Sequence, residues 1–125
     1  MTAWFAVLIG GAVGSAARFG VNLIMARALG TPTPYATAAV NLIGSFAVGV
    51  LAGALAAKRA TLTPVEHTLL ITGVLGGFTT FSSLMLDSLL LSQSGAAWKP
   101  LANLVAQFAI GLLLVYAGYR TGLGA

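Results

Sequence analysis

Hydrophobic positions run nearly unbroken through four blocks, at about Ala3–Leu29, Tyr35–Ala57, Val65–Leu91 and Trp98–Arg120. Each is longer than the ~20 residues that carry an α-helix across a ~30 Å hydrocarbon core. The pattern therefore predicts four transmembrane helices, in a single domain over residues 1–125. The intervening segments are short: Gly30-Thr-Pro-Thr-Pro34 reads as a turn, Lys58–Pro64 is polar, and Ser92–Gly95 is small and polar. Thr63-Pro64 followed by Glu66 reads as a helix start. Connections this short make successive helices antiparallel and bring both termini to one side. The first block lacks a basic leader and is too long for a signal-peptide core, so it reads as a retained helix.

The third block departs from a plain apolar helix. Its centre is Gly73-Val-Leu-Gly76-Gly77-Phe78-Thr79-Thr80-Phe81-Ser82-Ser83. Glycine is a poor helix former, and Thr and Ser offer the backbone competing hydrogen bonds. The expected result is a helix broken near 76–80, at a depth where irregular backbone is tolerated only if it is buried in protein or lines a cavity. The other polar residues at depth are few. Asn41 can cap a broken helix, donate to an anion or tie helices together, and its position alone does not choose among these. Asn103, Gln107 and Gly111 fall at spacing four on one face of the fourth helix, as a polar track or as an interhelical seam. Arg18 and Asp87 are intramembrane charges, functional by default or paired as a structural salt bridge. Gly10, Gly11, Gly14 and Ser15 in the first block, and Gly44, Ser45, Gly49 and Gly53 in the second, let helix backbones approach closely.

Composition sharpens the picture. Of the 125 residues, 58% are hydrophobic and 6% charged, against about 25% charged in a soluble domain. Cysteine is absent, which excludes disulfides and thiolate chemistry. The net charge of +4 is scattered near helix ends and forms no patch for nucleic acid. Lys58, Arg59 and Arg120 fall on one side and Arg27 and Lys99 on the other. That bias is weak enough for insertion in both orientations, or in one orientation with a small preference. His67, beside Glu66 at the mouth of the third helix, has no second His or Cys to join it as a metal ligand. No nucleophile–base pair, acidic pair or phosphate-binding loop suggests an enzyme.

Three blocks carry a family likeness: Gly10–Phe19 (GGAVGSAARF), Val40–Ser45 (VNLIGS) and Gly73–Ser83 (GVLGGFTTFSS). In order and spacing the chain resembles the fluoride channels of the Fluc (CrcB) family over nearly its whole length. The resemblance implies an antiparallel, dual-topology homodimer with two fluoride pores. It also implies a structural, untransported Na+ at the dimer centre, held by backbone carbonyls of Gly76 and Thr79 from both subunits. The pore by resemblance involves Asn41 and Phe81, with Thr80 and Ser83 as hydroxyl donors and Asn103 and Gln107 along the polar track. In the family pattern a second pore phenylalanine follows; here the position is Leu84, which has no electropositive ring edge. The amides of Asn103 and Gln107 are candidates to compensate.

The expected function is passive, selective fluoride efflux across the cell inner membrane, giving fluoride resistance. The expected partners are fluoride, the lipid bilayer, and an inverted second copy or a paralogue. A small dual-topology drug/proton antiporter is the first alternative, although it would need a carboxylate in its first helix, where this chain has none. A non-transporting membrane subunit, packing through its glycine faces, is the second.

Overall fold

A computed structural model describes residues 2–30 and 34–124. The turn expected at Thr31, Pro32 and Thr33 lies outside the described residues. Helix α1 covers Thr2–Leu29, α2 Pro34–Ala56 and α6 Trp98–Leu123. The third span, Pro64–Ser92, is assembled from α3 (Pro64–His67), a π-helical stretch (Thr68–Leu75), α4 (Gly76–Phe78) and α5 (Phe81–Ser92). All four spans are long and apolar enough to cross a membrane, and the described residues contain no strand. The chain is a multi-pass membrane protein.

The third span starts where Thr63 caps it. Thr63 Oγ1 accepts from the Glu66 N–H at 3.3 Å, and the Glu66 carboxylate accepts from the Thr63 N–H at 2.8 Å, a reciprocal capping box. The span breaks at Thr79 and Thr80, the two residues between α4 and α5. Gly76 and Gly77, the weakest helix formers in the expected break, are themselves helical.

Alternate spans pair closely and run parallel, α1 with the π stretch and α4, and α2 with α6. Glycines make both approaches possible. A Cβ on Gly14 would collide with the Val74 carbonyl oxygen, and one on Gly118 with that of Phe46. The glycine faces of α1 and α2 are thus largely consumed inside the chain, although a Cβ on Gly11 would meet no described residue within 4 Å. The interior is correspondingly thin. Val40, Leu84, Ala6 and Ala36 are its buried apolar residues, while Phe19, Phe81, Phe108 and Leu112 face outward. In a bilayer an outward apolar side chain carries no penalty, so the usual inside-out contrast is lost.

Candidate functional site: a polar cluster at the break

The break exists because two polar side chains outcompete the helix for its backbone groups. Thr79 (φ −79°, ψ 160°) and Thr80 (φ −154°, ψ 118°) are both extended. From α2, Asn41 reaches across and pairs with Thr80 as another strand would. Its Oδ1 accepts from the Thr80 N–H at 2.9 Å, and its Nδ2 donates to the Thr80 C=O at 3.1 Å. Thr80 in turn caps α5, its Oγ1 accepting from the Ser83 N–H at 3.2 Å. The same hydroxyl donates to Ser83 Oγ at 3.1 Å and lies 3.3 Å from Ser82 Oγ.

These bonds redirect two carbonyls. In a continuous helix Gly76 C=O would accept from the Thr80 N–H, and Thr79 C=O from the Ser83 N–H. Both donors are engaged elsewhere, with Asn41 and with the Thr80 hydroxyl. The Gly76 and Thr79 carbonyls are thereby released as hard oxygen donors, the chemistry a cation such as Na+ accepts. On the other side of the break, α5 opens near mid-span with backbone N–H groups that have no helical partner and with the positive end of its dipole.

Helix α6 completes the cluster. Asn41 Nδ2 also donates to Gln107 Oε1 at 3.0 Å. Gln107 Nε2 donates to Asn103 Oδ1 at 3.0 Å, Asn103 Nδ2 to Ser88 Oγ at 3.0 Å, and Ser88 Oγ to the Leu84 C=O at 2.8 Å. The two amides of α6 therefore form an ordered chain from the break to α5. Gln107 is buried and Asn103 half-buried.

Two cavities flank the cluster. One, of about 470 Å³, is an open groove lined by Asn41, Ser45, Gly76, Thr80, Phe81 and Gln107 among others. The exposed Phe81 ring forms part of its wall, and Leu84 is buried beside it. The other, of about 420 Å³, is lined by Asn22, Thr37, Ser83, Asp87 and Ser94 among others. Asn41, Thr80 and Ser83 stand between the two.

Asn41, Phe81, Thr80, Ser83 and Gln107 are thus brought together, and Asn103 is one hydrogen bond away. Asp87 belongs to the second cavity, where its Oδ2 is enclosed with no hydrogen-bond partner among the described residues, Arg18 included. Arg18 is half-exposed on α1 and lines neither cavity. Two cluster residues carry no role in the sequence reading. Thr37 is buried one turn before Asn41, on a stripe Thr37–Asn41–Ser45 at spacing four. Ser88 is buried one turn after Leu84. Both were marked by helical spacing from residues already singled out.

A small four-span membrane protein with a polar, broken span between two cavities belongs among proteins that handle ions within the bilayer. More narrowly, residues 5–119 match the family described as CrcB-like protein, Camphor Resistance (CrcB), and the chain belongs to that family. Its relatives include the fluoride-specific ion channel FluC of Allorhizobium ampelinum, 42% identical over 93% of this chain and 92% of the relative. The FluC of Aeromonas salmonicida is 38% identical over 96% of this chain and 95% of the relative. That of Thermus thermophilus is 39% identical over 98% and 96%.

Proposed function

We propose that the chain is a passive fluoride channel of the cell inner membrane that lets fluoride leave the cytoplasm. The observation that carries the reading is the interrupted third span, where Asn41, Thr80, Ser83 and Gln107 gather between two cavities in a chain whose relatives are named fluoride-specific channels. Hydrogen fluoride crosses bilayers uncharged and ionises inside. Fluoride then leaves down its gradient, helped by a negative-inside potential. No bond is made or broken.

The pore of this reading runs along the polar face of α2 and α5. The Ser83 hydroxyl offers fluoride a donor at one cavity. The α5 N–H groups and the positive edge of the Phe81 ring offer donors at the other. Donors spaced for a small anion, between apolar walls, favour fluoride over larger halides. The working unit is a dimer of inverted copies, the partner being this same chain or a paralogue. The groove at Gly76 is open on one side and the carbonyls of Gly76 and Thr79 supply two oxygens per chain, so a second copy would complete a hard-oxygen site. Bound there, Na+ would supply fixed positive charge and a joint between subunits. Family membership favours this reading over a drug/proton antiporter or a non-transporting subunit.

The test is purified protein in liposomes loaded with potassium fluoride, with a potassium ionophore to relieve the potential and a fluoride electrode outside. Fluoride efflux without nucleotide or proton gradient is expected. Its absence overturns the reading.

A further inference from the structure

Asn41 has two N–H donors and one acceptor oxygen, and all are in use. Its oxygen and one N–H form the reciprocal pair with Thr80 (2.9 and 3.1 Å), which by itself fixes the plane of the amide. The remaining N–H points across to α6 and is held by Gln107 Oε1 at 3.0 Å. Gln107 is therefore not needed to orient Asn41. It occupies the one donor that Asn41 has to spare, and it does so with the partly negative oxygen of a residue that, like Asn41, lines the open groove.

We infer that Gln107 Oε1 is a built-in competitor for the anion: it sits on the Asn41 N–H as a stand-in ligand, and a permeating ion must displace it. The inference rests on the fluoride reading. Only 8% of the Gln107 surface is exposed, so its amide is not free to drift into water. It is tethered from behind, Nε2 to Asn103, Asn103 to Ser88, and Ser88 to the Leu84 carbonyl. The tether sets how readily the oxygen withdraws. A charge-assisted hydrogen bond is about twice as strong as one between neutral groups, so a small anion of dense charge displaces an amide oxygen. A large, diffuse anion makes a weaker bond and needs more room, and it meets the oxygen still in place. Gln107 is thus a selectivity-determining residue that works by occupying a donor rather than by adding one. Asn103 and Ser88 are positioning residues acting through it. This reverses the expected role of the α6 amides as replacements for the ring missing at Leu84.

The experiment compares wild type, Gln107→Met and Asn103→Leu in the same liposomes, reading fluoride efflux across fluoride concentrations and chloride efflux alongside. Methionine keeps the length and bulk of glutamine without the oxygen. Gln107→Met is expected to conduct, with half-maximal efflux at a fluoride concentration about fivefold lower, the change that one net hydrogen bond of ~1 kcal/mol gives, and with a higher chloride-to-fluoride ratio. Asn103→Leu unties the competitor and shifts both readings the same way by less, which a purely structural role would not do. It also carries the test if the methionine variant aggregates. A monodisperse Gln107→Met that no longer passes fluoride overturns the inference, because the amide then serves the ion as a donor. Unchanged concentration dependence and selectivity in both variants overturn it equally. Wild type that passes no fluoride defeats the fluoride reading itself, whereas a conducting wild type with unshifted variants defeats only the role of Gln107.

Discussion

Asn41 concentrates the chemistry of the site in one side chain. Its sequence context left capping, anion donation and interhelical bonding open. In the structure it caps the break at Thr80 and bonds to α6 at once, because an amide has enough donors and acceptors to do both. A sequence shows that an amide sits at membrane depth but not which groups face it, so this part of the site was out of reach. Asn41→Leu leaves the N–H and C=O of Thr80, a residue only 9% exposed, without these partners, at about 1–3 kcal/mol for each buried group. The expected outcome is a lowered melting temperature in detergent and loss of fluoride efflux. Asn41→Asp retains an acceptor for the Thr80 N–H but turns negative charge towards the Thr80 and Gln107 oxygens. It is expected to melt above Asn41→Leu yet still pass no fluoride, and wild-type efflux from it would remove Asn41 from the pore. Phe81 is the opposite case. Its ring is 64% exposed and supports little of the fold, so Phe81→Leu should leave the melting temperature unchanged. Fluoride efflux should slow by roughly tenfold, the effect of losing ~1.4 kcal/mol of ring-edge interaction. Equal efflux from the variant would show that the ring edge plays no part.

At the scale of elements, the third span is the informative one. The break was legible because paired glycines, threonines and serines stand together inside an apolar run. Its placement was less so. Propensity points to Gly76 and Gly77, yet both stay helical, and a Cβ on Gly77 would come within 2.8 Å of the Gly11 carbonyl oxygen. Gly77 thus serves packing against α1, whereas Gly76 is exposed. The helix stops two residues later, where the side chain of Asn41 takes the Thr80 N–H. The π-helical stretch Thr68–Leu75 left no mark in the sequence, since an extra residue per turn is a response to neighbouring helices and not to local propensity. The pairing of α2 with α6 gives a direct test of the glycine seams. Gly118→Val drives a branched side chain into the Phe46 carbonyl and should cost about 1–3 kcal/mol or more, read as aggregation on gel filtration or a lower melting temperature. Gly20→Ala meets nothing within 4 Å and gains up to about 1 kcal/mol of helix propensity, so its melting temperature should hold or rise. Equal behaviour of the two variants would refute the seam.

At the scale of the whole molecule, a single chain has the walls of a pore without an enclosure. The groove beside Asn41 is open, and Phe81, Phe108 and Leu112 project from its lining with more than half their surface exposed. The released carbonyls of Gly76 and Thr79 stand at the same break, with Gly76 exposed. In the dimer reading a second copy closes the groove, and an inverted copy requires that both orientations be inserted. The charges permit this. Arg59 packs against Gly124 where α2 and α6 end, so Lys58, Arg59 and Arg120 share one face of the membrane, opposed by Arg27 and Lys99. A difference this small exerts little control over orientation. Because the chain has no cysteine, a single introduced one reports topology without background. Thr61 and Ser94 are exposed in the loops on opposite faces. In intact cells treated with a membrane-impermeant maleimide, Thr61→Cys and Ser94→Cys should each label to about half of the level reached after lysis, as two equally populated orientations demand. Full labelling of one and none of the other would mean a single orientation, and the inverted partner would then have to be a different chain.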